Sequence, residues 1–182
     1  ATPERGDEGD NKIFQLYFKN VPTINLFDPD KDPRTHYISI RYNSRMSPQD
    51  ISNCGNFYGF NRMNYASMIT KYPNFQKICH VVMDLISKMS GRILIFMASN
   101  EAIQAVYDWI LENYPEYTYS VGIYTSLNKN KRSALNHKII LTTSISAGEA
   151  LDVSDVFCSV QLAEPMKSRP KCRQRLGRTR IR

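Results

Sequence analysis

Arg92-Ile93-Leu94-Ile95-Phe96-Met97-Ala98-Ser99-Asn100 decides the fold class. Residues 93–97 are all large and apolar, without the alternation of a half-exposed strand, and such runs belong to parallel sheets buried on both faces. On the amino side, Phe75, Ile78, Cys79, Val82, Leu85, Ile86 and Met89 repeat at helical spacing, and Gly91 marks a stop. On the carboxyl side, Ser99 or Asn100 is placed to cap a second helix with the inner face Ile103, Val106, Tyr107, Ile110 and Leu111. Pro115 ends that helix. Further strands are expected at Tyr117–Tyr124, at Lys138–Thr143 and at Val156–Leu162. Asn128 to Leu135 reads as a short polar helix, and Arg169 to Leu176 as the opening of a last one. Helices alternating with short apolar strands predict an α/β fold with a parallel sheet and helices on both faces. In that architecture ligands gather at the carboxyl ends of the strands.

The first third is less periodic. Residues 1–10 form a polar, acidic leader. Ile13–Phe18 alternates weakly and His36–Tyr42 (HYISIRY) alternates better, so each is a strand candidate. The segment VPTINLFDPDKDPR between them carries three prolines. Asn43 to Gly59 reads as a loop, or a short helix starting near Ser47-Pro48. The domain reading is an irregular extension or linker over 1–35 and one lobe over 36–182, ending just after its arginine motif as a piece of a longer protein.

Charge is concentrated at one end. The chain carries +7, but from Pro165 to Arg182 there are eight basic residues and no acidic one, leaving the other 164 residues at −1. One positive element of this kind suits a defined phosphate or nucleic-acid contact. Cys54, Cys79, Cys158 and Cys172 show no Cys-x-x-Cys spacing, and His36, His80 and His137 no metal-like spacing. Reduced thiols and no metal site are expected. No apolar run reaches membrane-span length, which predicts a soluble, intracellular protein. Trp109 reads as a packing residue. Tyr58, Tyr65 and Tyr72, with Arg62 and Lys71, read as packing at the lobe's outer edge in preference to stacking on bases.

Three segments fall at expected ligand-gathering positions. They are Met97 to Asn100, then Thr142 to Asp152 (TTSISAGEALD), and the terminal run Gln174-Arg175-Leu176-Gly177-Arg178-Thr179-Arg180-Ile181-Arg182. Small hydroxyl residues before Ala-Gly permit close approach of backbone amides to phosphate. Guanidinium groups are permanently charged forks suited to phosphate oxygens.

Taken in order, these segments resemble the second RecA-like lobe of superfamily 2 helicases, over about Phe75 to Arg182. The region of 92–97 is similar to motif IV, Thr142–Asp152 to motif V and Gln174–Arg182 to motif VI. The resemblance implies a RecA-like parallel sheet and an ATP-dependent helicase or translocase. It makes Arg178 the arginine finger reaching the ATP γ-phosphate, with Gln174, Arg175 and Arg180 in the same catalytic set. Gly177, Asp152 and Gly148 would lie on the nucleotide side. Ser99, Asn100, Thr143, Ser144, Lys131 and Arg132 would lie towards the nucleic acid. The Gly-Arg-x-Arg form resembles the origin-binding and replicative helicases of large DNA viruses. That implies DNA in preference to RNA, and the cytoplasm, nucleus or a viral replication site.

Two positions depart from the family pattern: Ile181 stands where a second arginine is usual, and Glu149-Ala150 replaces a frequent Arg-Gly. The sequence also has no Gly-x-x-x-x-Gly-Lys-Ser/Thr loop. ATP and Mg2+ are therefore expected to be held mainly by a partner, the first RecA-like lobe, and this segment alone is expected to be inactive. The alternative is a stand-alone basic nucleic-acid-binding module without nucleotide hydrolysis. A small-molecule α/β enzyme finds no nucleophile or acid–base pair to support it.

Overall fold

The computed structural model describes residues 38, 40–56, 59–128, 131–148 and 155–163. The expected strand at Ile13–Phe18, the leader and the helix at 169–176 lie outside these residues. The chain enters through a short helix, α1 (Pro48–Asn53), capped by the Ser47 hydroxyl with proline at its first position. A small antiparallel pair, β1 (Gly55–Asn56) and β2 (Gly59–Phe60), leads into α2 (Arg62–Ile69). Asn61 caps α2 by accepting from the Met63 and Asn64 amides. Then come α3 (Pro73–Ser87), β3 (Arg92–Met97), α4 (Asn100–Asn113), a 3-10 turn at Pro115–Tyr117 and β4 (Val121–Tyr124). A 3-10 helix at Lys131–Asn136, β5 (Ile139–Thr143), α5 (Ser144–Gly148) and β6 (Val156–Gln161) complete the described chain.

β3, β4, β5 and β6 form one all-parallel sheet in the order β4-β5-β3-β6. This is the α/β class read from the apolar run at 93–97, and it is consistent with a RecA-like sheet. Alternate residues of each strand divide into two cores. Ile93, Ile95, Met97, Ile139, Leu141 and Val121 meet the inner faces of α3 (Phe75, Cys79, Val82, Met83, Ile86) and α4 (Ala102, Ile103, Val106, Ile110). Leu94, Phe96, Ile140 and Val156 point the other way, where Tyr124 and Leu135 pack on them.

Two crossovers explain this division. The connection from β3 to β4 passes β5 and carries α4 on one face; β4 then returns to β5 through the 3-10 helix on the other. A crossover of constant hand that reverses direction must change face. Gly122 makes the second connection possible. A Cβ there would stand 2.6 Å from the His137 ring and 3.0 Å from the Ala134 backbone, so the 3-10 helix lies directly on β4.

Met46, Cys54, Ala66 and Ile69 belong to the same core as α3 and α4. The segment before Phe75 is therefore built into the sheet domain. Burial pushes the Cys79 thiol up to about 12 and raises the Cys54 thiol as well, with Asp50 as a lesser cause for the latter.

Four expectations are corrected. Ile38 and residues 40–42, described parts of HYISIRY, are not in a strand, and Ile38, Ile40 and Tyr42 are exposed. Alternation alone creates no strand without a neighbour to bond. The strand expected over Tyr117–Tyr124 is only Val121–Tyr124, because Pro115 opens a 3-10 turn that uses the preceding residues. The polar helix expected at 128–135 is a 3-10 helix at Lys131–Asn136. Gly91 does not cap α3, which ends earlier at Lys88. A Cβ at Gly91 would lie 2.4 Å from Cβ of Phe157, so the glycine serves close packing against β6.

Candidate functional site at the carboxyl edge of the sheet

β3 and β5 are neighbours, and Met97 pairs with Thr143 at their last rungs. The turns that follow, 98–100 and 144–146, therefore emerge side by side. The β3 turn is sealed. Ser99 is 1% exposed and its hydroxyl accepts from the Ala102 amide at 3.1 Å, capping α4. The same hydroxyl lies 2.9 Å from the Ser67 hydroxyl of α2. Its bonding is spent on the fold. Asn100 differs, because its Oδ1 is buried without a hydrogen-bond partner. A buried acceptor left unpaired is costly, so at this turn Asn100 retains bonding capacity and Ser99 does not.

The β5 turn is built on hydroxyls. Thr143 Oγ1 donates to Ser146 Oγ at 2.9 Å and accepts from the Ser146 amide at 3.1 Å, a local turn that starts α5. Ser146 Oγ also accepts from the Ser126 amide at 3.3 Å, tying this turn to the end of β4. Thr142 donates to the Tyr124 carbonyl at 2.8 Å. Unlike the first turn, this one is open at its flanks: Thr143 is buried, at 9% exposure, but Ile145 is 76% exposed and Leu127, beside Ser126, 74%. Ser144 is half-buried.

Lys131 joins the same edge. Its ammonium lies 5.8 Å from the centre of the Tyr124 ring at the end of β4, a cation–π distance. Tyr124 pairs with Thr142, so this lysine stands one strand from the Thr143 turn. Arg132 beside it is exposed. The sheet thus gathers Asn100, Thr143, Ser144 and Lys131 at one edge. Gly148 closes α5. Asp152, Gln174, Arg175, Gly177, Arg178 and Arg180 lie outside the described residues.

Ser67 and Ser126 were not legible as site residues, whereas Ser146 lies within the Thr142–Asp152 segment. Each of the first two is a lone serine without motif spacing, and only the packing of α2 and β4 onto the edge reveals it. The described residues do not make a Mg2+ site, since no group of three His, Cys, Asp or Glu comes together among them. Among the described residues of the β5 turn, the Thr143 and Ser146 hydroxyls are bonded to one another.

Away from this edge, His80, Trp109 and Tyr114 form an aromatic cluster between α3 and α4. The His80 and Trp109 rings meet edge-on at 4.7 Å, and His80 Nδ1 is 2.8 Å from the Tyr114 hydroxyl. Their role is packing. Tyr65 packs on the core too, and Tyr72 bonds to Asp50. Among the described residues no helix is long and apolar enough to cross a membrane. No family model matches the chain and no curated protein matches it, so its own residues carry the functional reading.

Proposed function

We propose that this chain is the second RecA-like lobe of an ATP-dependent, superfamily 2-type nucleic-acid helicase acting in viral DNA replication. The observation that carries the reading is the convergence at one sheet edge. The segments resembling motifs IV and V leave adjacent strands β3 and β5, with Met97 opposite Thr143, and Lys131 stands over the end of β4. In a parallel α/β sheet that edge is where ligands bind.

In this reading ATP is the substrate, held with its Mg2+ by the first lobe, and Arg178 supplies positive charge to the γ-phosphate. Gln174, Arg175 and Arg180 act beside it, and Asp152, Gly148 and Gly177 face the nucleotide. Asn100, Thr143, Ser144, Lys131 and Arg132 line the DNA track. In the protein carrying both lobes, Arg178→Ala should lower ATP turnover by at least about 100-fold and largely spare DNA binding. Turnover near the wild-type rate overturns the assignment.

The eight cations of residues 165–182 favour a second reading, a basic binding module with no nucleotide chemistry. It predicts that Arg178→Lys costs nothing, and that affinity falls with salt at a slope of about −0.9 per phosphate neutralised in duplex DNA.

A further inference from the structure

Lys131 and Arg132 are adjacent cations at the start of the 3-10 helix Lys131–Asn136, and both are exposed. Such a helix has three residues per turn, so neighbouring side chains leave it about 120° apart and residues three apart stand one above the other. Only one of the two cations can therefore face β4.

The packing of the helix decides which. Ala134 is buried and fits over Gly122, where an added Cβ would stand 3.0 Å from the Ala134 Cα. Lys131 lies three residues before Ala134, on the same face and one turn back, a rise of about 6 Å. Along β4, Tyr124 lies two residues beyond Gly122 on the same face, about 6.6 Å further. The two steps match, with the helix running back along the strand. They bring Lys131 to Tyr124, and its ammonium lies 5.8 Å from the ring centre. Arg132 leaves the helix in another direction.

The ring is itself held. Tyr124 packs on the cluster of Leu94, Phe96, Ile140 and Val156, and its carbonyl accepts from the Thr142 hydroxyl. The backbone at Lys131 is tied as well: its amide donates to the Asn128 carbonyl at 3.2 Å, and the Asn128 side chain donates to the Ile123 carbonyl at 2.9 Å. A lysine on its flexible stem ordinarily gives up much rotamer freedom when it grips a ligand. Here the fold has restricted that stem in advance. The ring attracts the ammonium from one side and leaves N–H donors free on the other. No carboxylate nearby in the chain competes for them, since residues 117–148 carry Lys129, Lys131, Arg132 and Lys138 and neither Asp nor Glu.

We propose that Tyr124 is a positioning residue that holds Lys131, and not Arg132, ready for a backbone phosphate of DNA. This rests on the nucleic-acid track of the proposed function and adds the group that fixes one of its cations.

The test uses the whole chain and a fluorescein-labelled oligothymidylate of about twenty nucleotides, with anisotropy followed over a range of salt concentrations. Lys131→Ala should raise Kd about fivefold and reduce the salt slope by about 0.7, one phosphate on a single strand. Tyr124→Leu keeps apolar packing and removes the ring, and should raise Kd about threefold. Tyr124→Phe should restore wild-type affinity. Combined with Lys131→Ala, the leucine substitution should add nothing, because the ring acts only through the lysine; combined with Arg132→Ala, its loss should add in full. Inorganic phosphate at constant ionic strength should not displace the oligonucleotide.

Additive losses with Lys131→Ala overturn the inference, as do a Tyr124→Phe variant as weak as the leucine one and displacement by inorganic phosphate. Should Tyr124→Leu lower the urea midpoint, the wild-type chain decides by itself. The ε-methylene protons of Lys131, held over the ring, should resonate upfield of those of the other lysines, and an unshifted position overturns the inference. The motor reading stands or falls separately, on ATP turnover of Arg178→Ala.

Discussion

Two turns leave adjacent strands at the same edge of the sheet, each with a hydroxyl residue before a helix, and they do different work. After β3, Ser99 is sealed beneath α2, caps a 14-residue helix and bonds to Ser67. After β5, Thr143 and Ser146 bond chiefly to each other and to the β4 end, between exposed Leu127 and Ile145. The lesson is that a hydroxyl at a strand end is a shared local device. What distinguishes structure from surface is whether a second element covers the turn. Here that element is α2, contributed by the least periodic third of the sequence.

The comparison can be broken most directly at the sealed turn. Ser99→Ala removes a cap and leaves Ser67 without its partner, a combined cost of about 2 kcal/mol. Urea denaturation should show this as a lower midpoint with little change in oligonucleotide affinity. Thr143→Val at the open turn keeps shape and loses the hydroxyl. Because Ser146 is only half-buried and can turn to water, its stability cost should be about 1 kcal/mol or less, and its larger effect should be on oligonucleotide binding. Equal effects of the two substitutions on both measurements would dissolve the distinction.

The smallest effect sharpens how the cover is held. Hydrogen bonds from Tyr72 first, then Ser47, hold the Asp50 carboxyl below its ordinary value of 3.8. A carboxyl with a lowered folded value contributes stability above its unfolded value and loses it as pH falls through the folded one. Acid titration should therefore loosen the α1–α3 junction below about pH 4. Asp50→Asn should remove that component of the pH dependence, and an unchanged acid profile would show that the junction does not rely on it.

Much of the sheet was readable from the chain. Residues 93–97 are apolar on both faces because both faces are covered, and of the two cap candidates before the periodic stretch, Ser99 and Asn100, it is Ser99 that caps the helix. Ile38 and Ile40 show the limit of such patterns, since alternation describes a strand's needs and cannot supply its partner. Gly91 was readable as a breaker, but its cause is Phe157, more than sixty residues away. At the candidate site, Thr143 and Lys131 are named by the resemblance to the helicase lobe, which rests on the order and spacing of its segments. Ser67 and Ser126 act through contacts that no local pattern encodes.

The aromatic cluster at the far end of α4 has a practical consequence. Trp109 is the chain's single tryptophan, packed edge-on to His80 about 14 Å along the helix from its Asn100 end. Intrinsic tryptophan emission therefore watches one corner of the lobe, where α3 meets α4. A melt followed by that emission reads loss of the α3–α4 contact. Local opening of the β5 turn passes without an optical signature, so work on that edge needs a fluorophore placed there, with Leu127 or Ile145 as ready positions.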